Sequence, residues 1–129
     1  MTAETKFYKY LVRGTPRTWH WQRIETSTAQ GVPDVNLYIP EVGELWLELK
    51  IANPSTVLRP QQNAWIKKRQ FLGGNAAIIA RKKTDILIWD NGFETDLTKS
   101  GRLKITTGPQ YTCNLAGLEK VMKLIMKSK

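Results

Sequence analysis

Leu45, Leu47, Leu49 and Ile51 alternate with Trp46, Glu48 and Lys50. A period of two makes this a strand with four aliphatics on one face and Glu48 and Lys50 together on the other. Residues 34–39 predict a second strand just before it, and residues 40–43, from Pro40 to Gly43, make the hairpin between them. Residues 19–24 read as an earlier strand. Residues 76–80 are a nearly all-apolar run, as expected of a strand covered on both faces, and residues 84–90 supply another, ending at the Asn91-Gly92 turn. Residues 102–107 carry a weaker strand pattern.

Helical spacing appears three times. Over residues 3–13, Glu4, Tyr8 and Leu11 share a face that closes at Gly14. A second helix begins at Pro60, a residue suited to the first helical position, and ends near Gly73-Gly74, where glycine takes the left-handed cap. Ala64, Trp65, Lys68, Phe71 and Leu72 are expected to turn its apolar side to the sheet, with Lys67, Lys68 and Arg69 partly outward. Asn114 can cap a final helix whose Leu118, Val121, Met122 and Ile125 form an apolar stripe. That stripe suits core packing, with an oligomer interface as the alternative. Alternating strands and helices in a chain of 129 residues, without repeats or linkers, predict one α/β domain over residues 1–129.

The single cysteine, Cys113, and single histidine, His20, exclude an internal disulfide, a cysteine-histidine zinc site and any motif needing two histidines. His20 lies between Trp19 and Trp21 in an apparent strand, the setting of an ordinary packed or surface imidazole. No apolar run is long enough to span a bilayer and the first ten residues lack a signal-peptide core, so an intracellular, cytoplasmic protein is expected.

The net charge of +9 is unevenly spread. Residues 5–24 carry five Lys/Arg and no acid, and residues 59–84 seven Lys/Arg and no acid, while Glu25, Asp34, Glu41, Glu44 and Glu48 lie between them. Basic flanks suit phosphates and the central acids suit a hard cation. Arg23, Arg59, Arg81 and Lys82, which flank the central segments, are the candidate phosphate contacts; the ordinary alternative for each is a solvated charge. Trp19 and Trp21 fit either stacking on exposed bases or packing, with packing favoured. Asp34, Glu48 and Lys50 would bring two carboxylates and a fixed positive charge to one patch, although Glu48 and Lys50 alone also fit a solvent-facing pair on a half-buried strand.

Gly31-Val32-Pro33-Asp34, Glu48-Leu49-Lys50 and Pro60-Gln61-Gln62-Asn63-Ala64-Trp65 resemble the G-x-P-D, E-x-K and P-x-Q-x-x-W pattern of the VRR-NUC branch of the PD-(D/E)XK nucleases, a group related to Holliday junction resolvases. The similarity runs over about residues 4–82 and leaves the C-terminal third uncovered. It implies a single-domain restriction-endonuclease-like fold with a central mixed sheet flanked by helices. It further implies that Asp34, Glu48 and the main-chain carbonyl of Leu49 hold magnesium, for which manganese can substitute, that Lys50 contacts the attacking water or scissile phosphate, and that Gln62 hydrogen-bonds near that water. An ordinary helix-surface amide is the alternative for Gln62. A further acid, mapped to Glu4 in the resolvase-like branch, would join the catalytic set, with Glu25 the competing candidate.

The resemblance implies a metal-dependent, structure-selective DNA endonuclease that resolves four-way junctions. The alternatives are a nuclease for flaps, nicks or single strands and a non-catalytic nucleic-acid-binding protein. Branched DNA is the expected partner, cut by a homodimer whose interface would use either the Leu118–Ile125 stripe or the aromatics of the first strand.

Overall fold

The computed structural model describes residues 1–24 and 31–126. Its elements in chain order are α1 (Ala3–Arg13), β1 (His20–Arg23), β2 (Val35–Ile39), β3 (Gly43–Ile51), β4 (Val57–Leu58), α2 (Pro60–Phe71), β5 (Ala76–Lys82), β6 (Asp85–Trp89), β7 (Thr95–Leu97), β8 (Leu103–Ile105), β9 (Tyr111–Cys113), a 3-10 turn (Leu115–Gly117) and α3 (Leu118–Met126). Six strands form the main sheet in the order β1-β2-β3-β5-β6-β9, and β4, β8 and β7 form a small second sheet. Among the described residues only β3 and β5 run parallel, joined through α2, so the sheet is mixed.

The alternation read along the second motif strand produces two cores, one on each face of the sheet. Leu45, Leu47 and Leu49 pack with Phe7 and Leu11 of α1 and with Leu118, Met122 and Ile125 of α3. On the other face, Ala76, Ile78 and Ala80 of β5 pack with Ile66 of α2, Leu58 of β4 and Ile105 of β8, with Trp46 beside them. The all-apolar run of β5 thus serves both cores. The α3 stripe is spent on packing, and so is the aromatic pair: Trp19 is buried, while Trp21 meets Tyr8 edge-on and donates from Nε1 to Thr15 Oγ1 at 2.9 Å. Leu118, Met122 and Ile125 of the stripe are thus core residues, while Val121 and Trp21 stay partly exposed.

The sheet-facing side of α2 differs from expectation. Ala64 is exposed, and Phe71 and Leu72 are 89% and 68% exposed, whereas Gln62 and Ile66 are buried. Polar groups hold this helix in place. Gln70 Nε2 donates to the carbonyls of Ala76 and Asp90, and Lys67 Nζ donates to the Phe93 carbonyl while lying over its ring. Trp65 is the apolar anchor, meeting Trp46 of β3 edge-on at 5.4 Å, with the Arg69 guanidinium over both rings. Strands β4, β7 and β9 add to those expected. At three residues or fewer each, they are too short for alternation to reveal.

Candidate active site

Ladder pairing between β2 and β3 ends at Val35 and Leu47, two residues short of Leu49. The Leu49 N–H is therefore left without a β2 carbonyl and instead donates to Asp34 Oδ2 at 3.1 Å. A residue's N–H and C=O leave the same edge of a strand, so the Leu49 carbonyl lies on the edge where Asp34 sits. The Asp34 carbonyl accepts from Ile24 N at 2.7 Å, which ties this corner to the end of β1.

Glu48 projects from β3 to the α2 face and is 2% exposed. Its Oε2 accepts from Gln62 Nε2 at 2.9 Å and lies 3.6 Å from Lys50 Nζ. The Gln62 Oε1 accepts in turn from Lys50 Nζ at 3.2 Å and from the Arg59 backbone N–H at 2.9 Å. Both ends of the buried amide are thus occupied, which sets its orientation. The other carboxylate oxygen, Glu48 Oε1, is buried with no hydrogen-bond partner among the described residues. Burial, followed by the neighbouring Asp34 carboxylate, raises the Glu48 carboxyl to about 8, against a smaller opposing effect of Lys50.

A cleft of about 410 Å³ collects these groups, lined by Thr2, Glu4, Arg23, Asp34, Glu48, Lys50, Arg59, Gln62 and Arg102. Five segments meet there: the start of α1, the end of β1, the β2–β3 corner, the start of α2 and the turn before β8. Gly31 couples the β2–β3 corner to the start of α2. Its φ is +75°, and a Cβ at that position would lie 2.1 Å from the Gln61 carbonyl oxygen, so the loop carrying Asp34 touches the first turn of α2 only because residue 31 is glycine. Arg23 is held at the cleft by donating to Thr5 Oγ1 at 3.0 Å and by lying over Tyr8.

Other expected residues fall elsewhere. Arg81 and Lys82 line a neighbouring groove with Ala3, Lys6, Asn53 and Lys83, and the Arg81 guanidinium rests 4.3 Å over Tyr10. Glu4 lines the cleft, yet among the described residues no three Asp, Glu, His or Cys side chains gather closely enough to hold one ion. Glu25, the competing acid, lies outside the described residues. Arg102 is the residue that motif reading missed; it comes from the turn between β7 and β8, in the third of the chain that the motifs leave uncovered.

The donors suit a hard divalent cation: two carboxylates, one with a buried unpartnered oxygen, beside a main-chain carbonyl. Around them stand four cationic side chains, Arg23, Lys50, Arg59 and Arg102. Such an arrangement can place a phosphodiester between a metal and fixed positive charge.

No family model and no curated protein matches the chain in sequence. In structure the chain is similar to Hjc, a Holliday junction resolvase from the archaeal hyperthermophile Archaeoglobus fulgidus, with a TM-score of 0.56 and 12% identity over 90% of this chain and 99% of that one. Among the described residues no helix is long and apolar enough to cross a membrane. The six-stranded mixed sheet with its three helices is the restriction-endonuclease-like fold of that resolvase.

Proposed function

We propose that the chain is a metal-dependent DNA endonuclease that cuts branched substrates, four-way junctions foremost. The observation that carries this reading is the two-sided environment of Glu48: one oxygen fixed by Gln62 and Lys50, the other buried without a partner beside Asp34. Such a group is costly to keep ionised in a folded chain, so it holds a proton when metal-free and would exchange that proton for a cation. Asp34, Glu48 and the Leu49 carbonyl would hold magnesium, with manganese as a substitute. When bound, the ion supplies neutralisation of the non-bridging phosphate oxygens and polarisation of the attacking water.

The chain's own residues account for the rest. Lys50, fixed by Gln62, presents a positive charge toward the phosphate being cut. Gln62 holds Glu48 and Lys50 in one geometry so that neither must reorganise. Glu4 adds negative charge at the cleft wall, where it would orient water, and Arg23 and Arg59 take phosphates at the mouth. The groove of Lys6, Arg81, Lys82 and Lys83 next to the cleft would carry a further stretch of backbone.

The fold shared with a junction resolvase supports branched DNA as the substrate, and two incisions on a four-way junction call for two copies of the site. The test is a cleavage panel in magnesium that compares linear duplex, single strand, flap and four-way junction, run beside sedimentation at micromolar concentration. Preferential junction cleavage by a dimer is expected. Preference for flaps or single strands by a monomer would replace the resolvase reading with a flap or single-strand nuclease, and binding without cutting of any substrate would leave a non-catalytic DNA-binding protein.

A further inference from the structure

The small sheet ends at the cleft. Its β4–β8 ladder pairs Val57 with Lys104 and Leu58 with Leu103, and the residues that leave the ladder at that end, Arg59 and Arg102, both line the cleft. Two like charges lining one cleft repel each other. Among the described residues no carboxylate relieves them, for the ion pairs there are Lys50–Glu48 and Lys123–Glu119. Both arginines line the cleft, and both are exposed, while Glu48 and Gln62 at its floor are buried. The turn that delivers Arg102 is itself ordered: Thr98 N–H and Oγ1 both donate to the Arg102 carbonyl, and Gly101 takes the left-handed conformation at φ +84°.

We propose that Arg59 and Arg102 form a two-arginine clamp for one backbone phosphate of the bound strand, the one neighbouring the phosphate that faces Asp34 and Glu48. The proposal rests on the nuclease reading for the identity of the strand. Its physical basis is separate: two unpaired guanidiniums at the rim supply planar, multiply donating partners for phosphate oxygens, at a different depth from the acids that would handle the bond being cut. The clamp assigns a substrate-binding role to the second sheet, which lies beyond the motif segments.

The test uses the full chain and a fluorescein-labelled four-way junction. Binding is measured by anisotropy in EDTA across a salt series, and cleavage in magnesium by steady-state kinetics. Arg102→Ala and Arg59→Ala are each expected to weaken binding by about tenfold or more, to flatten the salt dependence by about one phosphate contact, and to raise KM more than they lower kcat. Arg102→Lys should recover only part of the loss, because an ammonium cannot reproduce the guanidinium fork. Lys99→Ala removes the same charge from the same turn, outside the cleft, and should cost about twofold or less. An unchanged salt slope and KM in Arg102→Ala, or an equal loss in Lys99→Ala, would overturn the clamp. Wild-type protein that binds, loses affinity with these variants and never cuts would support the clamp and remove the nuclease reading.

Discussion

Gln62 reaches from the first turn of α2 to Glu48 on β3, its Nε2 donating to Oε2 at 2.9 Å while both side chains are buried. The contact joins the two motif segments through a neutral amide. Its other end holds Lys50, so the same residue sets the distance between the carboxyl and the ammonium of the site. An apolar residue at 62 would leave a buried carboxylate oxygen, an ammonium and a helix-start N–H each short of a partner.

Gln62→Ala is therefore expected to lower cleavage by about 10- to 100-fold, the usual cost of losing a group that orients a metal-binding residue. Thermal unfolding should be measured alongside. A folded variant with wild-type kinetics would return Gln62 to a packing role.

Glu48→Gln and Asp34→Asn should each reduce magnesium-dependent cleavage to background while DNA binding in EDTA is kept or strengthened, since one negative charge near phosphate has been removed. Lys50→Ala should slow turnover with metal affinity largely retained. Full cleavage by either carboxylate variant would show that the ion, if one is used, is held elsewhere.

Stability in the absence of metal should depend on pH through Glu48. Its carboxyl sits at about 8 in the folded chain against an ordinary 4.5. The folded state therefore binds the extra proton between those values. This contribution to stability is fully present below about 4.5 and is lost as pH rises through about 8, on the order of a few kcal/mol in all. Denaturant unfolding in EDTA should show stability falling across that range, Glu48→Gln should flatten the fall, and magnesium should offset it at the alkaline end in the wild type alone. A wild-type curve parallel to that of Glu48→Gln would exclude the buried, proton-holding carboxylate.

Gly31→Ala tests the coupling of the two motif loops. The added methyl meets the Gln61 carbonyl and the backbone is already at positive φ, so a loss of about 2 kcal/mol or more is expected, together with impaired cleavage from a displaced Gln62. Unfolding midpoints and activity of the same preparation decide it; a fully stable, fully active variant would mean that the loop and helix move apart without consequence.

Glu4→Gln is expected to cost more activity than Glu25→Gln, because Glu4 lines the cleft with Asp34 and Glu48. Equal stability of the two variants by thermal melting makes the comparison clean. The opposite order would transfer the role to Glu25.

Much of this site was readable from residue order because it is built from local rules. Strict alternation over β3 sorted Glu48 and Lys50 from the core leucines, and Pro60 marked the helix start that fixes Gln62 two positions later. The sheet-facing side of α2 was misread because its contacts are made by amides and an ammonium stem; Phe71 and Leu72, apolar and exposed, sent the hydrophobic pattern the wrong way. Arg102 left no trace in spacing at all. Its arrival at the cleft that Arg59 also lines depends on strand pairing between segments more than forty residues apart, which no local pattern encodes.

The one parallel pair among the described strands also decides how the site residues are distributed along the chain. Since β3, α2 and β5 form one crossover unit, Glu48, Lys50, Arg59 and Gln62 lie within a single contiguous stretch of chain, and Asp34 joins it across a hairpin. Arg102 arrives independently, from a turn whose residues 99–102 face solvent. Under the proposed reading, a change in the length or charge of that turn would alter which DNA shapes are gripped while the crossover unit stays intact.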